Sequence, residues 1–480
     1  MARKQPTKAP PLEELDIEQH PDLLDELQGN ILKGHGRNYS AGIFVALAEQ
    51  KGAARKAIAE LTPLVWSAQR QRESAKAWRN RAKSGKPDGS RERESFCMLS
   101  VSARCYKRLD LDQFGGPAQA PRNQPSQAAA IEAFRNGMKA EVETPYAHWD
   151  PDTDAWESPL KQDFDLFILL ANNEERNLDE AVDDLKAVLS KSGAVRIEIE
   201  RGRKSARASD LGKAGVDPVE HFGFADGIAM PVFFKSEGEK LKHRKPSPVH
   251  SLDTILWPES GVDGEASFGS FLTVMKLEQN VRAFRQRAAE LKDALDLAST
   301  DEAEALAVGR LKDGKPLLPT ASGDRDDFNY DNDPLDRRHF GAKQCPASAH
   351  IRRMNPRREP QLVMARRGFH YGESWMEQLP PPENGVGLIF MALASTLHSF
   401  IVLMGATQGP SCTYGVDAVI GKSQPGRCEG SQHWWSEKSA TWVEFQMAGF
   451  VKPLGGEYFF VPSLRFLRAI EAETLPRVTT

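Results

Sequence analysis

The chain is poor in the residues and patterns that would announce several common chemistries. Its 480 residues hold only five cysteines. Cys97, Cys105, Cys345, Cys412 and Cys428 are odd in number, widely spaced and never arranged as Cys-x-x-Cys, which argues against a disulfide framework and against paired thiolate metal ligands. There is no His-Glu-x-x-His, no phosphate-binding G-x-x-x-x-G-K-[ST] and no G-x-S-x-G nucleophile elbow, so zinc-hydrolase, P-loop and α/β-hydrolase readings lose their support. Charge of one sign is also missing: 63 Lys and Arg face 67 Asp and Glu, a net charge of -4, which gives nucleic acid no reason to bind.

Long apolar runs are scarce too. The N-terminus has no apolar export core and no twin arginine, which sets a cytoplasmic location as the expectation. Gly385 to Gly409 carries no Asp, Glu, Lys or Arg over 25 residues and is long enough to cross a bilayer. Gly387, Ser395, Thr396, His398 and Ser399 interrupt it, and Lys/Arg-rich flanks are lacking, so it reads as a buried strand running into a buried helix and not as a membrane span.

What is present is an ordinary globular composition, 40% apolar and 27% charged, in a chain long enough for two to four domains. Strand and helix patterns alternate twice. In the first half, Ala41 to Ala48 reads as a strand, Lys51 to Val65 as a helix, Asp163 to Ala171 as a strand, the next stretch as a helix capped by Asn177 and ending before Gly193, and Ala194 to Gly202 as a strand. The second half repeats the scheme with Ser270 to Leu277, a helix from Val281 to about Leu297, a strand from Val386 to Leu393, a helix from about Ser395 to Met404, and a final strand. This predicts an α+β fold of antiparallel sheets covered by helices, with ferredoxin-like units at 1–220 and 221–480. Arg70 to Arg93 is locally basic, but the scarcity of aromatics there favours a solvated helix face and loop.

Three segments are unusual for plain loops. In His221-Phe-Gly-Phe-Ala-Asp-Gly-Ile-Ala-Met-Pro231, Asp226 sits among apolar residues and glycines, an environment expected to raise its pKa and suit proton transfer; an Asp-Gly turn is the plainer alternative. Cys345-Pro-Ala-Ser-Ala-His350-Ile-Arg352 sets a histidine among small residues, where it can approach a flat cofactor. Leu362 to Gly372 delivers Arg366 and Arg367 to a glycine-bearing turn. Taken singly, either of the last two is as readily a surface loop.

The three segments, in this order, resemble the dye-decolourising peroxidases, a family of haem peroxidases built from two ferredoxin-like domains. Gly223-Phe-Ala-Asp226-Gly227 matches the family's G-x-x-D-G, Cys345 to Arg352 its Cys-Pro-x-x-x-His-x-Arg, and Arg366 to Gly372 its Arg-Arg-Gly followed by Tyr-Gly. Leu27 to Arg37 and Gly456 to Leu464 resemble its opening and closing segments, and the likeness is to the larger members. Two positions depart from the pattern: His370 stands where many members have proline, and Gly368 where some bacterial members place a distal asparagine.

The resemblance implies one haem b per chain, His350 as its proximal iron ligand, and a peroxidase that reduces hydrogen peroxide and oxidises phenolic or dye-like compounds. It implies Asp226 as distal acid-base and Arg366 as the group stabilising cleavage of the peroxide bond. Leu388 and Phe390, two apart on one strand and therefore on one face, are expected to line the distal pocket along with Ile228. Arg352 is expected to pair with a haem propionate. An axial imidazole gains basicity when its other nitrogen meets a carboxylate, and the sequence does not single one out. Trp375, Tyr371, Trp434 and Trp435 are relay candidates by residue type alone. A non-catalytic haem carrier or sensor on the same scaffold is the alternative. No membrane or nucleic-acid partner is expected.

Overall fold

The computed structural model describes residues 12–472 except 51, 85–93, 112–124, 144–151, 206–216, 260–266, 321, 337–340, 358, 360–361, 374–379, 409–414 and 423–431. Cys412, Cys428 and Trp375 lie outside the described residues, as does the C-terminal end of the basic stretch.

Twelve strands are described: β1 Tyr39–Leu47, β2 Phe96–Ser102, β3 Leu166–Asn172, β4 Ala194–Arg203, β5 Trp257–Glu259, β6 Ser267–Gln279, β7 Ala365–Arg366, β8 Phe369–Tyr371, β9 Gly387–Ala394, β10 His433–Ser436, β11 Thr441–Glu444 and β12 Val451–Val461. The first four pair in the order β2-β3-β1-β4, all antiparallel, with helices Ala53–Leu61 and Glu175–Lys191 following β1 and β3. The second half repeats this as β12-β6-β9-β8, with helices Val281–Leu295 and His398–Gln408 following β6 and β9. Each half is thus a ferredoxin-like unit. The junction expected at residue 220 falls between β4 and β5.

The two sheets meet edge to edge at both ends, through Phe459 and Phe460 of β12 against Ser102 and Val101 of β2, and through Tyr371 of β8 against Gly202 of β4. The strands therefore carry apolar residues on both faces, as alternation along β1 shows. Phe44 and Ala46 point into a core shared with Phe167, Phe459 and Ile389, while Ile43 and Val45 point outward under the helices.

Gly385 to Gly409 folds as β9 running into helix His398–Gln408, and among the described residues no helix is long and apolar enough to cross a membrane. Asn177 does not cap its helix. Glu174 is the N-cap residue, and the upstream Asn172 accepts the Glu174 amide at 3.0 Å, so the helix starts three residues earlier than the pattern suggested.

Candidate active site

A cavity of about 880 Å³ opens on the helix-covered face of the second sheet. Its size lies within the range of about 300–1,000 Å³ usual for ligand pockets. His350, Asp226, Arg366, Ile228, Leu388 and Phe390 all line it, although they come from segments far apart in sequence. Along β9 the alternation works as the pattern suggests: Ile389 is fully buried in the core between the sheets, and Leu388 and Phe390 face the cavity. Met275 and Leu277 of β6 and Met404 of the helix His398–Gln408 extend this apolar wall.

His350 opens the short helix His350–Met354. Its Nδ1 lies 3.0 Å from Oδ2 of Asp417, which is completely buried. The other Asp417 oxygen accepts the backbone amides of Val419 and Ile420 at 2.8 and 3.0 Å. Facing a carboxylate, Nδ1 carries the proton, and Nε2 is left as the nitrogen able to bind a metal. The nearby Cys345 is no competitor, because burial holds its thiol protonated with a pKa of about 12. Asp417 was not singled out from sequence. The signal it gave, a lone carboxylate in the apolar run Gly415-Val-Asp-Ala-Val-Ile420, is the same one that drew attention to Asp226.

Asp226 stands in the cavity wall with its side chain 40% exposed, and its Oδ1 accepts the Gly227 amide at 2.6 Å. Its Oδ2 lies 3.2 Å from Nε2 of His370, off the ring's N–H axis, so charge and not a directed hydrogen bond dominates the contact. The carboxyl was expected to have a raised pKa, and the structure corrects this. Burial does push it up, but the His370 imidazole and the Arg366 guanidinium together outweigh burial and hold it at about 2. His370 is raised in turn: burial disfavours its cation, but Asp226 and Glu220 prevail. Arg366 donates Nη2 to the Ile228 carbonyl at 2.7 Å, which fixes the guanidinium over the same turn.

The departure at Gly368 has a steric cause. A Cβ at that position would lie 2.6 Å from the Ile389 carbonyl, so the turn between β7 and β8 can approach β9 only without a side chain. The polar set that shares the cavity with His350 accordingly includes Asp226, Arg366 and His370 and contains no amide from residue 368.

Arg352 does not line the cavity, contrary to its expected pairing with a propionate. Its guanidinium donates to the Cys345 carbonyl at 2.5 Å and to the Asp333 carbonyl at 2.7 Å and stacks 4.8 Å from the Tyr330 ring. Asp333 also gathers the amides of Lys343, Gln344 and Cys345, so Arg352 ties down the loop that leads to His350. Of the relay candidates, Tyr371 and Trp434 are buried, and Trp435 is half-buried against Trp442 with ring centroids 5.3 Å apart.

No protein-family model matches the chain. It is 30% identical to the multifunctional dye peroxidase DyP2 of Amycolatopsis sp. over 93% of this chain and 96% of that protein. The chain belongs to the dye-decolorizing peroxidase family. It is also 28% identical to a dye-decolorizing peroxidase of Mycena epipterygia over 64% of this chain. Among solved structures, DyP2 from Amycolatopsis superposes with a TM-score of 0.76 at 29% identity, covering 93% of this chain and 96% of that one. The DyP-type peroxidase of Anabaena sp. gives 0.75 at 28%, covering 94% and 95%.

Membership makes the chain a haem-dependent peroxidase of the two-domain ferredoxin-like fold. The residues present fit the cofactor: one imidazole nitrogen free to ligate, its partner nitrogen held by a buried carboxylate, apolar side chains along the wall, and an acid and a guanidinium facing the same space.

Proposed function

We propose that the chain binds one haem b through Nε2 of His350 and uses it to reduce hydrogen peroxide and oxidise phenolic or dye-like compounds in one-electron steps. When bound, haem supplies the redox-active iron that accepts two oxidising equivalents from peroxide and passes them on singly. The carboxylate of Asp226 would take a proton from one peroxide oxygen and return it to the other, which leaves as water with the two electrons that the bound haem would supply. Ionised down to about pH 2, it is ready as a base at any ordinary pH. Arg366 faces the same oxygen pair and stabilises negative charge as it develops on the departing one. Asp417 keeps the His350 imidazole oriented and electron-rich. Ile228, Leu388 and Phe390 exclude water from the reacting face.

The observation that carries this reading is the convergence of His350, Asp226 and Arg366 on one cavity. Stopped-flow mixing of the ferric holoprotein with peroxide tests it. A fast shift of the Soret band, slowed about 10²- to 10⁴-fold by Asp226→Asn or Arg366→Leu, is the expected result. A Soret band that does not respond to peroxide would instead make the chain a haem carrier or sensor.

A further inference from the structure

His370 lies behind Asp226 on β8 and is only 4% exposed, while the carboxylate it faces stands open to the cavity. We propose that His370 is a positioning residue of the peroxide site: as an imidazolium paired with Asp226 Oδ2, it keeps that carboxylate ionised and fixed in the wall at acidic pH. This rests on the reading of Asp226 as the proton acceptor.

The surroundings decide which group carries the positive charge. Four titratable or charged groups meet here: Glu220 and His221 from the turn before Asp226, Asp226 itself, and Arg366 from β7. His221 sits edge-on to His370, with ring centroids 5.9 Å apart, and its Nε2 donates to the Tyr371 carbonyl at 2.8 Å. Burial, then the neighbouring His370, hold His221 at a pKa of about 4, so it is the neutral member of the histidine pair. Glu220 accepts the amides of Phe222 and Phe224 and the Gln279 side chain, which anchors a second carboxylate on the His370 side. Burial raises the Glu220 pKa, so as pH falls Glu220 turns neutral before Asp226, and Asp226 is the carboxylate left facing an imidazolium at 370, with no second imidazolium beside it.

Arg366 cannot replace it. The guanidinium is tied to the Ile228 carbonyl, and Asp226 Oδ1 is already engaged by the Gly227 amide, so Oδ2 depends on His370. Although its side chain is open to the cavity, Asp226 lies deep in the protein mass, and the resulting loss of bulk water is the largest single influence on it and acts to protonate it. Without the imidazolium that influence is opposed by Arg366 and the Gly227 amide alone, and the base is lost at a higher pH.

The test is the pH dependence of the peroxide-induced Soret shift in parent, His370→Gln and His370→Leu holoproteins. Infrared difference spectra of the ferric state follow the protonated Asp226 carboxyl band, identified by its absence in Asp226→Asn. In both variants the rate is expected to fall about tenfold per pH unit below a limb displaced upward by at least about one unit. The infrared band should appear at the same higher pH. A uniform loss of rate with the limb and band unmoved would make His370 a packing residue and overturn the inference. If His370→Leu loses haem, His370→Gln, which keeps a polar side chain of similar reach without the charge, decides the matter. Asp226→Asn separates the two claims: a slow Asp226→Asn with an unmoved limb in the His370 variants sinks only this inference, and an Asp226→Asn that reacts at the parent rate sinks the reading of Asp226 beneath it.

Discussion

Asp417 Oδ2 and His350 Nδ1 lie 3.0 Å apart although 67 residues separate them in the chain, and the carboxylate is fully buried. Two backbone amides satisfy its other oxygen, and among the described residues no guanidinium forms an ion pair with it. A buried anion of this kind makes sense only opposite an imidazole that gains from it.

Replacing Asp417 by Asn keeps the shape and removes the charge. A less electron-rich imidazole stabilises ferric iron less, so the reduction potential measured by spectroelectrochemistry should move positive. Activity should fall about 10- to 100-fold, the usual penalty for a disturbed outer-shell partner.

His350→Ala removes the nitrogen itself. The variant purified with added haem is expected to show a much weaker Soret absorbance per protein, while circular dichroism shows the fold retained. Exogenous imidazole should restore part of the absorbance, because the cavity and Asp417 remain.

Arg352→Ala separates loop order from propionate binding. The guanidinium joins two carbonyls of the loop before His350, and leaving such groups unpaired costs about 1–3 kcal/mol. Haem affinity measured by absorbance titration should therefore fall. The same fall is expected with haem dimethyl ester, which has no free carboxylates; an effect confined to unesterified haem would restore the propionate pairing.

Glu259 supplies a pH-dependent stability far from the cavity. Burial outweighs its bonds to Ser463 and Ser267 and lifts its pKa from 4.5 to about 7. The folded state thus binds a proton that the unfolded chain releases first. Stability is fully present below about 4.5 and declines as pH rises to about 7, by about 3 kcal/mol. Glu259→Gln should flatten the fall of the thermal midpoint across that window.

Much of the fold was legible because its signals are local. The apolar run of β1, the alternation of β4 and the uncharged run from Gly385 need no knowledge of distant residues, and the repeated strand and helix order already suggested two α+β units. β2 was not read from sequence: its residues Phe96–Ser102 show no period, and Ser100 and Ser102 shorten their apolar run. Motifs drew attention to His350, Asp226 and Arg366, which the fold brings to one cavity. The two contacts that tune them were not legible. Asp417 and His370 act through pairings that only the folded chain creates, and Arg352 was misplaced because adjacency to His350 in sequence says nothing about which way a guanidinium turns. The pKa of Asp226 went the wrong way for the same reason: burial is readable from neighbours in the chain, and a facing histidine is not.

The central claim is that one iron sits between His350 on one side and Asp226 with Arg366 on the other. A crystal structure of the haem-loaded protein, with anomalous data collected at the iron edge, measures this directly. The account predicts a single iron peak at bonding distance from His350 Nε2, with Asp226 and Arg366 on the opposite face of the macrocycle. An iron bound through any other atom, or a macrocycle that leaves those two side chains outside its cavity, would contradict it.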